Sequence, residues 1–141
     1  MGEHLLEEAA RPFVRFLTDL GEVVAFSAAI PGQGGTDHVN EQWPGYWSAL
    51  FAERGYVAFD IVRPNIWLSS EVEFWYRQNL VVYMSEERAA TFPHEPTEIV
   101  LPLVHPELFA HRPPSAIVRA LGRIRSALRL RTRLNRLTRR S

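Results

Sequence analysis

The sequence predicts an α/β fold in which helix, strand, helix, strand, loop and strand follow one another, with at least one parallel crossover. Two observations carry this expectation. Residues 3–20 repeat apolar side chains at the helical period. Three short runs, 23–28, 56–61 and 79–84, are apolar almost without interruption and are separated by segments bearing glycine or proline.

Each element has a local reason. In 3–20, Leu5, Leu6, Ala9, Phe13, Phe16, Leu17 and Leu20 form one stripe, with Glu3, Glu7 and Glu8 near its start and Gly21 as a stop signal. Pro12 removes one helix hydrogen bond and is expected to kink or shorten the helix. The run 23–28, Val-Val-Ala-Phe-Ser-Ala, reads as a strand buried on both faces. Ile30 to Asn40 holds Pro31, Gly32, Gly34 and Gly35 and is a loop. A second helix is expected over 41–54, with Trp43, Trp47, Leu50 and Phe51 on one face and Pro44 in its first turn. Residues 56–61 are the second strand, Arg63 to Ser70 a loop, 71–78 a short helix or extended turn, and 79–84 the third strand. Ser85 to Pro114 carries six Pro and weak periodicity, which predicts a loosely packed extension. Over 115–138 the pattern is helical. Ile117, Leu121, Ile124 and Leu128 line one side and Leu130, Leu134 and Leu137 the other, so a break near residue 129 is expected. The expected division is therefore 1–84, 85–114 and an Arg-rich tail at 115–141. A sheet of three strands leaves open edges, and this one is expected to want more sheet.

The 141 residues include no Cys, no Lys and 16 Arg. Their net charge of zero conceals a split. Residues 1–111 set six Arg against 16 carboxylates, a net of −10, and residues 112–141 hold ten Arg and no carboxylate, a net of +10. The length suits one domain able to bury roughly two thirds of its unfolded surface. The absence of Cys excludes disulfides, thiolate metal sites, iron–sulfur clusters and thiol nucleophiles. No apolar run approaches the ~20 residues of a membrane span. The acidic N-terminus lacks the positive charge of a signal peptide, so a cytoplasmic location is expected.

Polar chemistry concentrates in Ser27 to Trp43, between a strand and a helix, where open α/β sheets bind ligands. His38, Asn40, Glu41 and Gln42 offer acid, base and amide groups within five residues. Pro31-Gly32-Gln33-Gly34-Gly35 lacks both the Gly-Lys-Ser/Thr ending of a phosphate loop and the spacing of a dinucleotide fingerprint. The five His include no His-x-x-x-His pair. The nearest ligand set is Asp37, His38 and Glu41, and no metal site is expected. A second cluster, Glu73-Phe74-Trp75-Tyr76-Arg77-Gln78-Asn79, reads as aromatic cover for one end of the core by Trp75 and Tyr76, with Arg77 paired to a carboxylate, or alternatively with Arg77, Gln78 and Asn79 closing a polar site at the sheet end. The Arg-rich tail suits nucleic acid, an anionic membrane surface or an acidic protein.

The run Phe26 to Pro44, Phe-Ser-Ala-Ala-Ile-Pro-Gly-Gln-Gly-Gly-Thr-Asp-His-Val-Asn-Glu-Gln-Trp-Pro, together with Tyr46-Trp47 and Trp75-Tyr76-Arg77-Gln78-Asn79, resembles the C-terminal half of bacterial class I S-adenosylmethionine-dependent methyltransferases. The resemblance spans residues 2–84. It implies the last three strands of a Rossmann-like sheet, the final two antiparallel, with Glu3-His4-Leu5 following the fold's fourth strand. It implies methyl transfer to a small-molecule acceptor, with His38 and Glu41 in positioning or acid–base roles and His4 on the cofactor side. Gln33, Asn40, Gln42, Trp43, Trp75, Tyr76 and Arg77 would face the acceptor. The family's glycine-rich cofactor motif and the acidic residue that binds the ribose have no counterpart here, nor have its strands one to four. The expectation is a portion of an enzyme from a truncated, split or mis-started gene. Such a portion would be inactive alone, or completed by a second chain. The alternative expectation is a non-catalytic interaction module whose Arg-rich tail binds an anionic partner.

Overall fold

A computed structural model of the chain describes residues 1–111. The expected helix over 115–138 and the tail at 115–141 lie outside the described residues. The chain divides into two units, Met1–Leu108 and Phe109–Ser141, and the sheet, its core and the polar loop all belong to the first.

A 3-10 turn at Gly2–His4 precedes α1 (Glu7–Leu20) and β1 (Val23–Phe26). A long loop leads to α2 (Pro44–Ala52) and β2 (Tyr56–Phe59). Then follow α3 (Arg63–Ile66), α4 (Phe74–Asn79), β3 (Val81–Ser85), α5 (Glu86–Ala89) and α6 (Glu107–His111). The α/β class is as expected. The helices begin later than the periodicity predicts, because Leu6 and Trp43 are extended and only Glu7 and Pro44 enter helical geometry. Trp43 therefore stands outside the apolar face of α2 and is 42% exposed. Pro12 lies within α1 without ending it. Residues 63–66, expected as loop, form a helical turn with Pro64 near its start, where a missing N–H costs nothing.

The strand order is β1-β3-β2. β3 runs antiparallel to both neighbours, with Phe26 opposite Val81 and Phe59 opposite Val82. The final two strands pair antiparallel, as expected. The expected parallel crossover is corrected: β1 and β2 point the same way, but β3 lies between them, so no pair of described strands is parallel. The burial of β1 is corrected too. It alternates exposed and buried, as an edge strand does, whereas the central β3 is buried on both faces.

One face of the sheet carries Val24, Phe26, Tyr56, Ala58, Val81 and Tyr83 against Ala10, Val14, Trp47, Leu50 and Phe51. Phe51 stacks on Tyr83 at 3.9 Å and 7°. Burial pushes the Tyr83 phenol up to about 12, while its hydroxyl stays bonded to Ser48 Oγ at 3.0 Å. The other face sets Phe59, Val82 and Met84 against Ile61, Val62, Ala89 and Phe92. This cover does not extend over β1, where Val23 is 49% exposed.

The stretch after residue 85 is bound to the body. Thr97 N donates to Ala58 O at 2.7 Å, and Asp60 N donates to Thr97 Oγ1 at 2.9 Å, which caps the outer edge of β2. Arg63 is fully buried. Its fork meets Asp60 through Nε at 2.7 Å and Nη2 at 2.6 Å, and Nη1 reaches Gln78 O and Leu101 O. Among the described residues no helix is long and apolar enough to cross a membrane.

Candidate functional site

Because β3 runs antiparallel to β1, the residues that precede it arrive beside the carboxyl end of β1. The loop leaving β1 uses this. Gln33 Oε1 accepts from Asn79 Nδ2 and Gln78 Nε2, each at 2.9 Å, and from Ile30 N at 3.3 Å. Gln78, fully buried, also accepts from His105 N at 2.7 Å. Ile30 packs with Phe74 and Leu108 beneath this network. One glutamine thus fixes the first part of the loop to α4.

Glu41 fixes the second part. Its carboxylate accepts from Gly32 N at 2.6 Å, Gly34 N at 2.7 Å and His38 Nδ1 at 3.0 Å. Burial raises its pKa, but these three hydrogen bonds and the nearby His38 outweigh burial and hold the carboxyl below its ordinary value. Since an ionised carboxylate only accepts, the His38 hydrogen sits on Nδ1 in the neutral ring, leaving Nε2 with its lone pair. Gln42 N bonds to Ala29 O at 3.1 Å, and Gln42 Nε2 to the Oδ1 of buried Asn40 at 3.0 Å.

The chain's beginning completes the site. Gly2 is buried against Trp47 and Phe26, where a Cβ would stand 2.8 Å from the Trp47 ring. That close approach brings Glu3 O to Val39 N at 2.8 Å and to Asn40 N at 3.0 Å. His4 Nδ1 donates to Asp37 O at 3.2 Å, and the His4 and His38 rings meet edge to face at 4.9 Å. Asp37 adopts a φ of 57°, a left-handed conformation that Asp tolerates. Glu3 Oε1 lies 3.6 Å from His4 Nε2 and 4.0 Å from His38 Nε2. Burial raises the Glu3 carboxyl, but hydrogen bonds from the α-amino group and backbone, with the charge of that group, bring it below its ordinary value.

The structure therefore gathers Gln33, His38, Asn40, Glu41 and Gln42 in one loop and adds His4 to them. Trp75 and Tyr76 pack against each other on α4, 37% and 48% exposed. Arg77 is buried and engages Glu107 Oε1 at 2.8 Å, Trp67 O at 3.3 Å and His105 Nε2 at 3.3 Å, so its partners belong to other segments than the loop. Glu3 holds the site without having been singled out as a site residue, whereas Gln78 and Asn79, expected as one alternative to close a polar site at the sheet end, bond to the loop through Gln33. Adjacency to His4 was a signal for Glu3. Nothing in the spacing ties Gln33 to Gln78. No family model, no curated protein and no solved structure matches the chain.

Proposed function

We propose that the chain is the acceptor-side portion of an S-adenosylmethionine-dependent methyltransferase. The observation that carries this reading is the concentration of His38, Glu41 and the Gln33–Asn79 network at the carboxyl ends of β1 and β2, where α/β enzymes place substrates. Methyl transfer requires an acceptor aligned with the sulfonium methyl and relieved of its proton. His38 Nε2 receives that proton, and Glu41 holds the ring through Nδ1. The acceptor is a small molecule with a nucleophilic oxygen or nitrogen. His4 stands on the cofactor side, Gln33, Asn40 and Gln42 line the loop, and Trp43, Trp75, Tyr76 and Arg77 make the outer wall and its support. The partly covered edge strand β1, together with Phe16 and Leu20 at 58% and 69% exposure, is where a cofactor-binding half of the sheet, in the same or a second chain, would pack.

Calorimetry tests this reading. Residues 1–141 alone are expected to show no saturable binding of S-adenosylmethionine. The same chain joined to, or mixed with, a glycine-rich half encoded upstream should bind it at micromolar concentration. Micromolar binding by the chain alone would overturn the split-sheet part of the reading. No binding by the joined protein would overturn the methyltransferase.

The charge split favours a second reading, an interaction module whose segment 112–141, with ten Arg and no carboxylate, docks on an anionic partner. Its test is salt-sensitive binding to nucleic acid or anionic vesicles that disappears when 112–141 is removed. Equal binding by the shortened chain counts against it.

A further inference from the structure

We propose that Glu3, His4 and His38 form a binding site for one divalent transition-metal ion. One ligand atom from each of the three residues lies within 4.8 Å of the others. Glu3 Oε1 stands 3.6 Å from His4 Nε2 and 4.0 Å from His38 Nε2. Around a tetrahedral ion with bonds of about 2.0–2.2 Å, ligand atoms are roughly 3.3 Å apart. A small inward adjustment of the side chains reaches that spacing.

The outer hydrogen bonds support this assignment. His4 Nδ1 faces Asp37 O and His38 Nδ1 faces the Glu41 carboxylate. Both partners are acceptors only, so each neutral imidazole keeps its hydrogen on Nδ1 and turns a lone pair on Nε2 toward Glu3. Three electron-pair donors thus converge, and a cation satisfies all of them together. A backbone carbonyl or a carboxylate behind each imidazole is the arrangement that orients histidine on a metal. Gly35 keeps the flank of His38 clear, since a Cβ at that position would lie 2.4 Å from Nε2. The Glu3 backbone carbonyl, bonded to Val39 N and Asn40 N, holds the two contributing segments together.

Two imidazoles and one carboxylate select a first-row ion such as Zn2+ over Mg2+ or Ca2+. Three protein ligands leave at least one position open, and the His4 side chain, 48% exposed, marks the side facing solvent. The site stands on the cluster alone and does not require S-adenosylmethionine. With an ion bound, His38 Nε2 is a ligand, and the ion takes over the acidification of a bound hydroxyl.

The test is a calorimetric titration of Zn2+ into the full chain, free of any histidine tag and stripped with chelator, near neutral pH. The wild type is expected to bind one ion saturably at micromolar concentration or below. His4→Ala and Glu3→Gln should each weaken binding at least tenfold. Glu41→Gln, which weakens the hydrogen bond behind His38 and leaves the three proposed ligands in place, should weaken it about 10–100-fold. Because Glu41 also staples the loop, circular dichroism accompanies that variant, and His4→Ala, at a half-exposed side chain, remains the deciding one. His94→Ala, at an exposed histidine of another segment, should leave binding unchanged. Absence of saturable binding by the wild type would overturn the site. So would wild-type affinity in both His4→Ala and Glu3→Gln, or an equal loss in His94→Ala, which marks adventitious surface binding. The methyltransferase reading is tested separately by cofactor titration, so failure of either leaves the other standing or falling on its own data.

Discussion

Glu41 answers two backbone N–H groups and one imidazole with a single carboxylate. Its pKa lies below the ordinary value, so it stabilises the folded chain above that value, near 4.5. The contribution is lost as pH falls through the lower, folded value. Glu41→Gln is expected to cost about 1–2 kcal/mol at neutral pH. It should also reduce the acid-side fall in stability without abolishing it, because Glu3 carries a shift of the same sign. Thermal melts of both proteins across the acid range check this, and an unchanged acid slope would count against the assignment. At this scale the sequence was partly legible. His38 and Glu41 fall within one loop turn, so their spacing alone brings them together. His4 reaches His38 only through the Glu3 carbonyl and the Gly2 contact with Trp47, which no spacing announces. Arg77 was legible as the partner of a carboxylate, and the structure gives it Glu107.

The elements were found more readily than their neighbours. Three apolar runs gave three strands, but a hydrophobic run reports burial and not which strand lies beside it. The run at 23–28 reads as buried on both faces, yet β1 is an edge strand, because β3 takes the central place. The element contacts also explain why the Pro-bearing stretch after residue 85 is not loose. Arg63 joins the end of β2 to Gln78 and Leu101, and Thr97 caps β2. Arg63→Met leaves Asp60 partly buried without its partner and is expected to destabilise by about 3–5 kcal/mol. Urea denaturation measures the loss, and a change below about 1 kcal/mol would mean that the fork holds nothing together.

For the whole molecule, the apolar surface left on α1 and β1 is the feature that a missing neighbour would explain. Phe16 and Leu20 belong to the stripe that predicted α1, yet Ala10 and Val14 face the core while Phe16 and Leu20 are exposed. Phe16→Glu should change the stability of the chain alone by no more than about 0.5 kcal/mol. In a protein carrying the additional half-sheet the same substitution should cost at least about 2 kcal/mol, because it buries a charge. Equal, small effects in both proteins would argue that Phe16 is ordinary surface. By itself the sequence determined the α/β class, the positions of the strands, the polar loop and the separation of an acidic body from a basic tail. These follow from periodicity, glycine and proline placement and charge, all of which act over a few neighbouring residues. Only the tertiary structure decided that β3 lies between β1 and β2, that Gln33 meets Gln78 and Asn79, and that Glu3 and His4 stand against His38. Those contacts join segments distant along the chain, and they form because the antiparallel register and the packing of Gly2 on Trp47 bring their backbones together.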